Sequence, residues 1–322
     1  MTFETRITNM LGIEKPIIQG GMQWISDAVL AAAVSNAGAL GTITAGSFPD
    51  KESFQRELHK AKQLTDKPFA INISLFSSIM PPDIHGFLQA AADEGVGIIE
   101  TAGAAPADFI EFMKKNDMTV IHKCTNLRHA KKAEALGCDA IIIDGYECAG
   151  HPGESGIGSI VLTPRAVEEL HVPVIACGGF SNGRSLAAAL MLGAEAITMG
   201  TRFLLTQESG ILPNIKSHFA NNVTEMDTTL ILQPYRNTSR VYNNSVAKKV
   251  REIENSGAAF DQVAPLVSGK KGRTVWYESA DMENGGTLAL GLSVGLVHDV
   301  PTVQELLDRM IVEAKTAISQ YA

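Results

Sequence analysis

Short apolar runs alternate along the first two-thirds of the chain with longer stretches whose apolar residues recur every three or four positions. The runs are "PIIQG" (16–20), "ALGTI" (39–43), "FAINIS" (69–74), "VGIIE" (96–100), "TVIHK" (119–123), "AIIID" (140–144), "VPVIACGG" (172–179) and "AITMG" (196–200). Apolar almost throughout and rich in Ile, Val and Thr, they read as strands covered on both faces. The stretches between them, such as "DAVLAAAVSNAG" (27–38), "RHAKKAEALG" (128–137) and "GRSLAAALMLGA" (183–194), read as amphipathic helices. Several end on glycine, which accepts the left-handed conformation of a helix C-cap. Eight strand–helix units within about two hundred residues predict a closed (β/α)8 TIM barrel in the α/β class, not an open doubly wound sheet. No Gly-x-Gly-x-x-Gly follows the first strand, which counts against a dinucleotide-binding fold.

After residue 205 the rhythm changes. Residues 206–284 are richer in Asn, Ser and Thr, with helical stretches and no strand–helix repeat. They predict an inserted, mainly helical region that covers the substrate at the barrel mouth. Residues 285–322 become helical again and are expected to complete the barrel of residues 1–205.

Composition narrows the function classes. With 45% hydrophobic and 19% charged residues in 322, the chain is ordinary globular material. A net charge of -8 without a lysine or arginine run excludes a nucleic-acid or anionic-membrane surface. No apolar stretch reaches membrane-span length, and the amino terminus lacks the basic start and apolar core of a secretory signal. Cys124, Cys138, Cys148 and Cys177 show no CxxC or zinc-like spacing, and three lie in or beside apolar runs. Buried reduced thiols and a cytoplasmic location are expected.

In a barrel of this kind the carboxyl ends of all strands face one mouth, so distant residues converge there. The strand ends carry Gly20 to Gln23, Asn72 and Ser74, Glu100 and Thr101, His122 to Cys124, Asp144, Gly178 and Gly179, and Gly200 and Thr201. Glycines after strands seven and eight either make tight turns or let backbone N–H groups approach a phosphate, and two such loops side by side favour phosphate. Lys123, taken alone, reads as a lysine snorkelling from a strand end; beside a flavin it would stabilise the reduced ring. His151 lies in "ECAGHPGESG" (147–156), between Gly150 and Pro152. Such a loop is a poor place to bury a histidine and a good place to aim one into a mouth, where it could exchange protons near neutrality. His122, inside a strand, reads as a hydrogen-bonded core residue. There is no HExxH, no metal-spaced cluster and no Gly-x-Ser-x-Gly, so a borrowed cofactor is the expected source of chemistry.

"PIIQGGMQW", "VIHKCT", "DGYECAGHPGE" and "ACGGFSNGRSLAAALMLGAEAITMGTRF" occur in this order, and together they resemble the nitronate monooxygenase (2-nitropropane dioxygenase) family. The likeness extends over the barrel and toward "RNTSRV" and the final helices. It implies an FMN-dependent TIM barrel with a smaller helical domain over the site, and His151 as the catalytic base. Flavin contacts carried over from the family fall on Gly21, Met22 and Gln23, on Asn72 or Ser74, and on Lys123. Ala149 and Gly150 beside the histidine, and Gly178, Gly179, Gly200 and Thr201 around the phosphate, complete that set. The implied reaction oxidises alkyl nitronates or nitroalkanes with O2 to a carbonyl compound and nitrite. Similar sequences act as NADH:quinone reductases, and more distant ones as flavin-dependent enoyl reductases. His151 does not distinguish these activities. Monomer and homodimer both fit the sequence.

Overall fold

A computed structural model describes residues 3–75 and 83–320. Eight parallel strands form the barrel: β1 (Ile17–Gln19), β2 (Gly41–Thr44), β3 (Phe69–Leu75), β4 (Ile98–Gly103), β5 (Thr119–Cys124), β6 (Ala140–Asp144), β7 (Val174–Cys177) and β8 (Ala196–Met199). Each pairs with the next from β2 to β8, and β8 pairs with β1. The expected TIM barrel is therefore present. The seventh run is shorter than its apolar stretch for a local reason. Pro173 has no N–H to give a ladder, and Gly178 and Gly179 turn away at φ +92° and +87°.

The seam between β1 and β2 is narrow. One bridge joins Ile18 to Leu40, and the Gln19 side chain continues it. Its Oε1 accepts the Thr42 N–H at 2.9 Å, while its Nε2 donates to Gly20 O and Ser26 Oγ, each at 2.7 Å.

Helix α1 (Arg6–Leu11) precedes β1, and α2 (Ala28–Asn36), α3 (Lys51–Leu64), α4 (Ile84–Asp93), α5 (Ile110–Lys115), α6 (Leu127–Ala135), α7 (Ser159–Glu169) and α8 (Gly183–Met191) follow successive strands. Most N-termini are capped by an Asp or Asn side chain, as at Asp27, Asp50, Asn126 and Asn182. Gly41 lets β2 lie directly on α2, since a Cβ there would stand 1.9 Å from Ala31 O.

Alternation along the strands sorts side chains between two layers. Ile18, Ala70, Ile121, Ile142, Ile175 and Ala196 join Ile7 and Leu11 of α1 in one buried cluster, which fills the barrel and closes its floor. Ile71, Ile99, Val120, Ile141, Ile143 and Val174 pack outward in a second cluster under the helices. Two residues beyond the inner set, on the same face, come Gly20, Asn72, Lys123, Asp144, Cys177 and Thr198. The polar upper layer follows directly from the register.

After β8 come α9 (Thr201–Leu204) and α10 (Pro213–Asn222), then β9 (Thr228–Ile231) and β10 (Ser239–Tyr242), an antiparallel ribbon with Arg240 opposite Leu230. Helices α11 (Ser245–Asn255), α12 (Phe260–Val263) and α13 (Gly269–Thr274) complete this region. Ile231, Leu232, Val241, Ala247, Val250 and Val263 give it a small apolar cluster of its own. The ribbon was not apparent in the sequence. Helix α14 (Val303–Ser319) returns to pack on α8, where a Cβ at Gly183 would stand 2.2 Å from Met310 O. Among the described residues, no helix is long and apolar enough to cross a membrane.

Candidate active site

The polar layer holds a buried charge cluster. Glu100 on β4 is 2% exposed, and the Lys123 Nζ of neighbouring β5 stands 3.7 Å from its Oε1. That is ion-pair distance, too long for a hydrogen bond. Asp144, at the end of β6, is also buried, with the Cys177 and Cys148 thiols beside it. Burial raises the pKa of both carboxyls, and Lys123 opposes the rise in each. Burial works against the lysine charge too, but Glu100 and Asp144 outweigh it, and Lys123 stays protonated above its ordinary range. The Cys148 and Cys177 thiols are pushed well upward by burial, so they stay protonated. Both Glu100 oxygens and Asp144 Oδ1 lack a hydrogen-bond partner among the described residues.

Above this cluster runs the loop that carries His151. Gly150 and Gly153 take φ +67° and +74°, and a Cβ at Gly153 would fall 2.3 Å from Thr125 Oγ1. The Glu147 carboxylate accepts the Ser159 N–H at 2.9 Å, and Ser159 Oγ lies 2.7 Å from Gly178 O. The histidine loop is thus tied to the glycine pair after β7. The imidazole is open to solvent, yet it stands in a concave mouth dense in protein atoms. Desolvation there, with the Lys123 charge, lowers its pKa, and Glu154 pulls the other way.

Gly178 and Gly179 are both left-handed, and a Cβ at Gly179 would meet Glu147 Cβ at 3.4 Å. A Cβ at Gly200 would come 3.7 Å from Met22 Sδ, which brings the first loop to the end of β8. Gly21 packs so closely on β3 that a Cβ would lie 2.3 Å from Asn72 Cγ. Gly21, Met22, Asn72, Lys123, Gly178, Gly179 and Gly200 therefore converge on one mouth. Ser74 lies on the same face of β3, one step further out.

Others are engaged differently. Gln23 is exposed and donates from Nε2 to Gly46 O at 3.3 Å, and Thr201 Oγ1 accepts the Gly291 N–H at 3.0 Å. Ala149 abuts the same Gly291 through its backbone, and Gly150 pairs with Arg240. His122 faces the helix layer, 2% exposed, with Nδ1 2.8 Å from Thr101 Oγ1 and its pKa pushed down to about 4 by burial. Sequence reasoning placed Glu100 and Asp144 at the mouth but did not connect them to Lys123. The signal was there in the two-residue period shared by three adjacent strands. Arg240 lies in "RNTSRV", which the family likeness reached, but no role was read for it.

The sequence profile of the family described as nitronate monooxygenase matches residues 4–313. The chain belongs to the nitronate monooxygenase family. Within the wider set of relatives, a Rhodococcus jostii (strain RHA1) protein named (3aS,4S,5R,7aS)-5-hydroxy-7a-methyl-1-oxo-octahydro-1H-indene-4-carboxyl-CoA dehydrogenase is 31% identical, covering 97% of this chain and 96% of its own. A probable nitronate monooxygenase of Staphylococcus saprophyticus is 29% identical over 79% of this chain and 83% of its own. Among solved structures, FabK from Thermotoga maritima superposes with a TM-score of 0.91 at 32% identity, covering 98% of each chain. As a member of the nitronate monooxygenase family, the chain is a flavin-dependent oxidoreductase.

Proposed function

We propose that the chain is an FMN-dependent nitronate monooxygenase, with His151 as the base that admits neutral nitroalkanes to the reaction. The observation that carries this reading is the placement of His151. It is exposed on the loop after β6, within electrostatic reach of the Lys123 cation, with its pKa held below the ordinary histidine value. A neutral imidazole at working pH can take a proton.

The residues fit the cofactor. Gly178 and Gly179, with no side chains and a left-handed backbone, would bring N–H groups against the phosphate, joined by the backbone of Gly200 and Thr201. Lys123 would face the ring edge, and Asn72 with the Gly21–Met22 backbone would line its side. When bound, FMN supplies the electron acceptor.

The chain's own residues do the rest. A nitro group acidifies the neighbouring C–H, and His151 takes that proton. Lys123 disfavours a lasting imidazolium, so the proton passes on to solvent through the open mouth. The lysine charge, pinned between Glu100 and Asp144, is already oriented where negative charge develops. In balance, two nitronate anions and one O2 leave as two molecules of carbonyl compound and two nitrite ions.

A second reading is supported by the dehydrogenase of a carboxyl-CoA compound and by FabK, both alike over nearly their whole lengths. A C–H beside a thioester carbonyl is also acidic, and the same base would serve there. In the reducing direction NADH would supply the electrons and an enoyl thioester or a quinone would accept them, with the protonated histidine returning a proton beside the thioester carbonyl.

Two experiments separate these. Anaerobic mixing with a nitronate in one sample and NADH in another follows bleaching of the flavin band; bleaching by NADH alone overturns the first reading. His151→Asn should lose about two to four orders of magnitude on neutral nitroalkane, and far less on preformed nitronate. Equal losses on the two forms would remove His151 from proton transfer.

A further inference from the structure

The loop around His151 is not held by the barrel alone. Gly150 and Gly153 flank the histidine in left-handed backbone, and neither strand nor helix spans residues 147–158. Glycines in such positions give the loop freedom that something else must remove.

The restraint comes from ninety residues further along. On one side of His151, Gly150 and Arg240 exchange both backbone hydrogen bonds: the Gly150 N–H donates to Arg240 O at 3.1 Å, and the Arg240 N–H to Gly150 O at 2.6 Å. On the other side, the Glu154 carboxylate accepts from the Thr238 N–H at 3.0 Å and from its hydroxyl. Residues 238–240 therefore lie antiparallel across 150–154, with His151 between two clasps. The Arg240 side chain, 4% exposed, turns back onto the same loop. Its Nη2 and Nε donate to Tyr146 O at 2.9 and 3.3 Å, and its guanidinium lies over the Tyr146 ring, 4.5 Å from the centroid. Nη1 reaches Thr228 Oγ1 on β9 at 3.3 Å. One arginine thus joins both strands of the ribbon to the histidine loop.

We infer that Arg240 and Thr238 are positioning residues for His151, so that the β9–β10 ribbon sets the aim of the base. This rests on the reading of His151 as the base. A planar guanidinium that forks onto one carbonyl while stacking on a ring fixes a direction as well as a distance. Neither residue touches the reacting atoms; they act through the loop. This gives the region after β8 a task in setting the histidine loop.

The test compares Arg240→Ala, Arg240→Lys and Thr238→Val with His151→Asn. Amide hydrogen exchange across residues 149–152 should quicken in Arg240→Ala. Because a displacement of about 1 Å can cost a hundredfold, kcat on neutral nitroalkane should fall by about 10- to 100-fold, with KM nearly constant. The loss on preformed nitronate should be several-fold smaller. Guanidinium ion added to Arg240→Ala should restore part of the lost nitroalkane turnover by occupying the vacated space. Arg240→Lys, with a point charge and no fork, should fall between Arg240→Ala and the wild type. Should Arg240→Ala fail to fold, Thr238→Val carries the test: a loss confined to nitroalkane supports the inference, and undiminished turnover overturns it. In a folded Arg240→Ala, equal losses on both substrates without guanidinium rescue overturn it as well. The two ideas fail separately. If His151→Asn shows no nitroalkane-selective loss, the base reading falls; unchanged exchange at Gly150 in Arg240→Ala removes the clasp whatever His151 does.

Discussion

Replacing Lys123 with methionine nearly keeps the length of the side chain and deletes the cation that faces Glu100 and Asp144. The cost follows from the buried carboxyls it leaves. Glu100, 2% exposed, would either stay ionised without its counter-charge or take up a proton. Taking up the proton is the cheaper course, and it costs about 1.4 kcal/mol for each pH unit above the ordinary carboxyl value. From a starting value of 4.5, that amounts to at most about 5 kcal/mol at pH 8 and about 1.4 kcal/mol at pH 5.5, less what the wild type already loses through its own raised value. The sign is set by linkage. A carboxyl with a raised folded pKa holds more protons folded than unfolded, so stability falls as pH rises from the unfolded value toward the folded one. Losing Lys123 widens that window. With an unfolding entropy typical for this length, Tm of Lys123→Met should drop by up to about 7 °C at pH 8 and up to about 2 °C at pH 5.5 relative to wild type. Differential scanning calorimetry of both proteins at the two pH values measures it. A Tm loss that is equal at both, or larger in acid, refutes the pairing of Lys123 with a buried carboxylate. In the same variant the flavin should be harder to reduce, and an unchanged potential would move the lysine away from the ring.

Gly179→Val should purify with little FMN, since a β-branched side chain at φ +87° fills the proposed phosphate cradle; a full complement of tightly held flavin would locate the phosphate elsewhere. Gly41→Ala should cost more than about 3 kcal/mol, because the added methyl meets the Ala31 backbone and cannot relax sideways; urea unfolding gives the value, and a cost under 1 kcal/mol would contradict the packing of β2 on α2. The kcat/KM for neutral nitroalkane should rise with pH to a plateau, with its midpoint below 6.5 because burial and Lys123 disfavour the imidazolium. Glu154→Gln should lower that midpoint further, as the carboxylate favours the charged ring; a midpoint at or above 6.5 in the wild type would speak against His151 as the titrating group.

All eight barrel strands were legible because each is a compact apolar run bounded by glycine or a polar turn, and burial on both faces leaves little alternative. Their ends were less so: the seventh run loses two residues at each end, to Pro173 and to the left-handed glycines. The mouth was legible as a set of strand ends, and parity explains why Lys123 joined it while His122 did not. The β9–β10 ribbon was hidden for a specific reason. Its strands have four residues each, and the connection takes left-handed backbone at Leu232 and Arg236, where a hairpin signal would show glycine or asparagine. Arg240 was invisible with it. A buried arginine whose partners are a carbonyl, a hydroxyl and a ring leaves no charge pattern in sequence.

The β1–β8 pairing also has a consequence for how the chain acquires its shape during synthesis. Ile17 finds its partner at Ile197, and its other neighbour offers only the bridge at Leu40 and the Gln19 amide. The first strand must therefore wait, largely unpaired, until the eighth has left the ribosome. Pairing across such a span is slow, and a waiting apolar edge is open to mispairing. Helix α1 shares that wait. It leads directly into β1, and its Ile7 and Leu11 carry the plug that closes the floor as the ring shuts. The leading helix and strand behave as a bolt drawn across last.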